Sequence, residues 1–102
     1  IVAARKEKGA ENWFVGGVTN GDSRTMPLDF SFLDKNRKYV ATVYADAKDA
    51  DYATNPEKYV ITRGIVTSKD AVKIFMARGG GFAISLFPAT DADKSLKKLK
   101  LK

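Results

Sequence analysis

No stretch of this chain reads as a helix of useful length, and Asp46 to Asp51, which has helical composition, has no apolar face. Asn20-Gly21, Asp34 to Lys38, Asn55-Pro56, Ser68-Lys69-Asp70 and the triple glycine Gly79-Gly80-Gly81 cut the chain into short pieces. Breaks fall roughly every 8–12 residues, the spacing of an all-β sandwich or barrel. The pieces between them are rich in Val, Ile, Thr, Phe and Tyr, which suit a pleated, half-buried surface. Seven such runs can be read in 102 residues. The fold class expected is therefore all-β: an antiparallel β-sandwich of seven to eight short strands.

The run from Asn12 to Thr19 holds the only Trp, with Trp13 and Val15 on one side and Phe14 on the other. Asn20-Gly21 follows it, which predicts a hairpin with the next apolar run at Met26. Gly16-Gly17 inside it suggests a bulge or a close approach by another backbone. Met26 to Leu33 alternates with Leu28, Phe30 and Phe32 on one face, and Pro27 points to an edge strand. Lys38 to Ala45 is apolar on both faces, so its expected place is central. Lys58 to Ser68 reads as a long strand with a bulge at Gly64. Val72, Ile74 and Met76, then Phe82, Ile84 and Leu86, form two further inward stripes. Ile1 to Glu7 supplies the first strand. Residues 1–88 make the expected domain, and 89–102 a basic tail, either an added edge strand or disordered.

Several chemistries are excluded by composition. There is no Cys and no His, so disulfides, thiol nucleophiles, Cys/His zinc sites and a Ser-His-Asp triad are out of reach. The net charge of +6 is concentrated: Lys94 to Lys102 supplies +5, and the other 93 residues carry +1. A nucleic-acid site spreads its cations over a folded face, and this chain places them in a tail. No apolar stretch approaches the roughly 20 residues of a membrane span. The chain opens on Ile1 inside a strand-like run, without an initiator Met or a signal-peptide pattern, as a piece of a longer polypeptide would. Asp46, Asp49 and Asp51 cluster, but a calcium loop counted from Asp49 fails at Ala53 and Thr54, so they read as a solvated acidic loop. The triple glycine lacks the Lys-Ser/Thr of a phosphate loop and reads as a turn of positive φ or as close packing.

Taken in order, Asn12-Trp13-Phe14-Val15-Gly16-Gly17-Val18-Thr19, Met26-Pro27-Leu28-Asp29-Phe30-Ser31-Phe32-Leu33, Tyr39-Val40-Ala41-Thr42-Val43-Tyr44-Ala45-Asp46, Asp49-Ala50-Asp51, Thr54-Asn55-Pro56 and Gly79-Gly80-Gly81-Phe82-Ala83 form a set. Over about residues 1 to 87 this set resembles the C-terminal domain of glycoside hydrolase family 97. The resemblance implies a β-sandwich behind a (β/α)-barrel catalytic domain, in an α-glucosidase or α-galactosidase exported by bacteria to the periplasm or beyond. It also implies that the catalytic carboxylates and the calcium ligands lie in the upstream domains. No position of this chain inherits them, and the tail after Pro88 has no counterpart.

The expectation is thus a non-catalytic accessory domain, with no catalytic, metal or cofactor residues of its own. It would pack on the upstream barrel and contribute to a homo-oligomer, without nucleic-acid or membrane partners. Trp13, Gly16, Gly17, Gly79, Gly80 and Gly81 are the candidates for domain packing. Such a domain should expose one apolar patch. The alternative is a carbohydrate-binding module with Tyr52 and Trp13 as sugar contacts, which requires exposed, coplanar aromatic rings. An independent enzyme would need a carboxylate pair in a pocket.

Overall fold

The computed structural model describes residues 2–7, 11–19, 21–46, 59–77 and 79–101. Seven strands are seen: β1 (Val2–Lys6), β2 (Trp13–Val18), β3 (Arg24–Asp29), β4 (Tyr39–Asp46), β5 (Tyr59–Val66), β6 (Ala71–Met76) and β7 (Gly81–Pro88), followed by a 3-10 turn at Asp91–Asp93. They form a five-stranded sheet in the order β1-β2-β7-β4-β5 and a two-stranded sheet of β3 and β6. Every pairing within the two sheets is antiparallel. The result is the expected all-β sandwich, with one layer much wider than the other.

The inner face of the large sheet carries the expected stripes. Tyr39, Ala41 and Val43 of β4 lie beside Phe82, Ile84 and Leu86 of β7, and all six are buried. Ile74 and Met76 of β6 cover them from the small sheet. Period-2 alternation places one set of side chains inward on each strand, and burial of that set drives the two layers together.

Three local expectations are corrected. The Asn20-Gly21 turn does not close a hairpin: β2 pairs with β1 and β7, and the chain leaves the large sheet to pair β3 with β6. Val15 and Met26 thereby face each other across the core instead of lying side by side, which buries more apolar surface than a local hairpin would. The third strand ends at Asp29, not Leu33. The Asp29 carboxylate accepts hydrogen bonds from the Ser31 amide at 3.1 Å and the Ser31 hydroxyl at 2.6 Å, a local turn that competes with the ladder. Phe30 still points inward and is fully buried. Finally, neither Gly16-Gly17 nor Gly64 is a bulge, since the register runs unbroken through all three.

Gly64 has a different purpose. A Cβ there would stand 2.5 Å from the backbone nitrogen of Leu99. The C-terminal segment folds back onto β5, where the Ile65 amide donates to the Lys97 carbonyl at 2.9 Å and the Leu99 amide donates to the Ile65 carbonyl at 3.0 Å. Leu99 joins the core cluster and Leu101 packs against it. Burying one leucine side chain stabilises by roughly 1.5–3 kcal/mol. Lys98 then forms an ion pair with Asp70 at 2.5 Å. The Asp70 carboxylate also accepts from the Thr67 amide at 2.7 Å and the Thr67 hydroxyl at 3.3 Å, closing the β5–β6 turn. Burial pushes the Asp70 carboxyl up, but the Lys98 and Thr67 hydrogen bonds and the Lys98 charge outweigh it and hold it below the ordinary carboxylate value.

Two predictions follow from this strap. Gly64→Ala should destabilise the chain by about 1–3 kcal/mol, because the clash is with backbone that cannot rotate away. Gly21→Ala, which meets nothing within 4 Å, should change stability by less than about 0.5 kcal/mol. Chemical denaturation of both variants decides this. Because the folded pKa of Asp70 is depressed, its contribution is complete above the unfolded value of about 3.9 and is lost as pH falls through the folded value. Asp70→Asn should therefore be less stable at neutral pH and show a shallower loss of stability below about pH 4. Denaturation curves taken across that range measure the difference, and parallel curves would contradict it.

Candidate interaction surface

In an antiparallel pair, residues directly opposite project to the same face, so the register defines the outer surface of the large sheet. One row crosses it as Phe14, Ser85, Thr42 and Arg63. A second is Ala3, Gly16, Ala83, Tyr44 and Ile61, and a third is Phe87, Val40 and Ile65. Phe14, Tyr44, Ile61 and Phe87 are between 44% and 54% exposed. Alternation left the small residues Ala3, Gly16 and Ala83 in the middle, which makes a shallow saddle between bulky rows. The charged residues of the face include Arg5 and Arg63, and Glu7 lies at its β1 edge, opposite Asn12, whose side-chain amide donates to the Glu7 carboxylate at 2.9 Å. The Arg63 Nε–H donates to the Thr42 hydroxyl at 3.3 Å, so its guanidinium lies along the sheet. Exposed apolar side chains are thus gathered on one face.

The residues singled out in the sequence fall in three places. Trp13 is half-buried on the inner face, its ring 4.8 Å from that of Phe32 and tilted by 53°. Gly16 lies on the outer saddle, and Gly17 is buried one position on. Gly79 has φ 73°, and the Gly80 amide donates to the Ala77 carbonyl at 2.8 Å, the positive φ of a tight turn that glycine adopts without strain. The Gly80 carbonyl in turn accepts from the Thr19 amide at 2.9 Å. A Cβ on Gly81 would collide with the Gly17 carbonyl oxygen and lie 3.2 Å from Val18 Cγ1. The close backbone approach read from Gly16-Gly17 is therefore made at Gly17 by Gly81. Tyr52 and the acidic cluster Asp49 and Asp51 lie outside the described residues, as does the Asp46 side chain.

A sugar platform needs coplanar rings. The exposed pair Phe14 and Phe87 is edge-on, with centroids 6.1 Å apart and planes at 86°. That geometry suits ring–ring packing and cannot lie flat against a pyranose. A cleft of about 690 Å³ opens between Lys38, Thr67, Thr90 and Leu96. Much of its charge is paired internally: Arg37 with Glu11 at 3.3 Å, Lys98 with Asp70 and the Thr90 amide with Asp93 at 2.8 Å. Among the described residues no three acidic side chains converge. No helix here is long and apolar enough to cross a membrane.

The family model for the glycosyl-hydrolase 97 C-terminal, oligomerisation domain matches residues 1–87. This chain belongs to that family. A retaining alpha-galactosidase of Bacteroides thetaiotaomicron is 34% identical over 87 residues, which is 84% of this chain and 12% of that protein. Glycoside hydrolase family 97 enzymes of Pseudoalteromonas sp. strain K8, solved with panose and with acarbose, are 32% identical with a TM-score of 0.84, covering 87% of this chain and 14% of theirs. The chain thus spans about one-eighth of the length of these relatives. The matched region ends at residue 87, so the strap that inserts Leu99 lies outside it.

The two faces of the large sheet should respond differently to truncation. Ile84→Ala, on the buried face, should cost about 2–5 kcal/mol. Phe14→Ser with Phe87→Ser, on the open face, should cost no more than about 1.5 kcal/mol in this chain alone. Urea unfolding of the two variants makes the comparison, and equal losses would mean that the outer rings are core residues.

Proposed function

We propose that this chain is the non-catalytic C-terminal domain of an α-glycosidase, packing on the upstream barrel and contributing to oligomerisation. The observation that carries the reading is a self-sufficient sandwich, closed by its own strap, that leaves an apolar sheet face open. The small residues at the centre of that face let another backbone come close, and its aromatic rows provide anchors for packing. In this reading the substrate is an α-glucoside or α-galactoside, bound and cleaved upstream, where the family's calcium also belongs. Export to the periplasm or beyond goes with the same family reading.

The test is a deletion. The intact polypeptide and one lacking this domain are compared on aryl α-glucosides and α-galactosides, with thermal inactivation and oligomeric state followed in parallel. Deletion should leave the specificity unchanged while shortening the half-life on heating or lowering the subunit count. Hydrolysis by this chain alone, or a deletion that changes none of these properties, would refute the reading.

A further inference from the structure

We infer that the C-terminal strap guards the β5 edge of the large sheet against a second copy of this chain, which would otherwise add its own β5 there. The inference goes beyond the accessory-domain reading and does not depend on what covers the outer face. A sheet edge presents a row of backbone donors and acceptors to any strand that comes alongside. The five-stranded sheet has two such edges, β1 and β5. Their sequences differ in how well they discourage a newcomer.

β1 is five residues long and carries Arg5 and Lys6 in succession. Successive side chains point to opposite faces, so a cation stands on each face of that edge. Two such strands brought together would crowd their cations along a short ladder. β5 is the opposite case. Tyr59-Val60-Ile61-Thr62-Arg63-Gly64-Ile65-Val66 runs for eight residues, rich in β-branched side chains, without proline and with one charge. That charge is turned along the sheet, where the Arg63 Nε–H donates to the Thr42 hydroxyl of β4. A long, β-branched, nearly uncharged edge is the kind that pairs with its own copy, antiparallel across a two-fold axis.

The strap closes that opening. Backbone groups along β5 alternate between β4 and the outer side, and those of Ile65 face outward. The strap takes both: the Ile65 amide donates to the Lys97 carbonyl, and the Ile65 carbonyl accepts from the Leu99 amide. It meets β5 in parallel at Ile65 and Lys98. Leu99 in the core beneath Gly64 and Lys98 on Asp70 anchor it. A full-length partner strand cannot lie along β5 while the strap is there. Lys97, Lys98 and Lys100 stay exposed, so the edge that the strap presents in place of β5 is cationic. The charge concentrated between Lys94 and Lys102 thereby finds a place in the fold. The family match ends at residue 87, so this guard is an addition to the matched domain.

The test detaches the strap. Leu99→Asp removes its anchor, and Asp70→Asn loosens the Lys98 contact while leaving Leu99 in place. Light scattering of the chain follows its mass over a wide range of concentration, and Trp13 fluorescence in urea reports whether each variant is folded. Leu99→Asp should raise the apparent mass about twofold over the unaltered chain as concentration rises, and Asp70→Asn should do so to a smaller extent. Adding Ile65→Pro to Leu99→Asp deletes the outward donor that the strap had covered, and should return the mass to that of the unaltered chain. Folded variants that keep the mass of the unaltered chain would overturn the inference. Association that persists with Ile65→Pro would also overturn it, because the copies would then be joined elsewhere. An unfolded Leu99→Asp chain leaves the decision to Asp70→Asn, where an unchanged mass overturns the inference.

Discussion

The insertion of β7 between β2 and β4 is the pairing on which the rest depends. β2 meets β7 from Trp13 to Val18, and β4 meets it from Tyr39 to Ala45. The last strand thus joins the first hairpin to the middle of the chain, and without it the large sheet is two separate pairs. Its inward residues Phe82, Ile84 and Leu86 are the floor on which Ile74 and Met76 rest. The Gly79 turn and the bare Gly81 allow it to start close against Gly17, where any side chain would push the strands apart.

Much of this is legible in the sequence because burial writes itself as period-2 alternation. Tyr39 to Ala45, Ala71 to Met76 and Gly81 to Phe87 each announce both their strand and their inward set. Strand pairing is less visible, since it depends on contacts far apart in the chain. Asn20-Gly21 has the local chemistry of a hairpin turn, yet β2 is taken up by β1 and β7 and the turn serves a crossover. The end of β3 was hidden for a different reason: the apolar pattern continues to Leu33, while the Asp29–Ser31 hydrogen bonds stop the ladder. Gly64 misleads in the same way, because its reason lies 35 residues on, at Leu99.

The interaction face was legible only as an expectation that some apolar patch should exist. Its position emerges from the register, which gathers Phe14, Tyr44, Ile61 and Phe87 from four strands onto one surface. Trp13, the most conspicuous residue of the sequence, turns out to pack inward against Phe32, while its plainer neighbour Phe14 faces outward. The close approaches at Gly64 and Gly81 belong to the assembly of the sandwich itself. They set how closely the strands and the C-terminal segment approach one another.

A structure of the intact polypeptide would test the account most directly, through the exposure of Phe14 and Phe87. In this domain by itself both rings are nearly half exposed. The account predicts that both become buried, against apolar residues contributed by the upstream domains or by another subunit. Rings that both remain in solvent would contradict it.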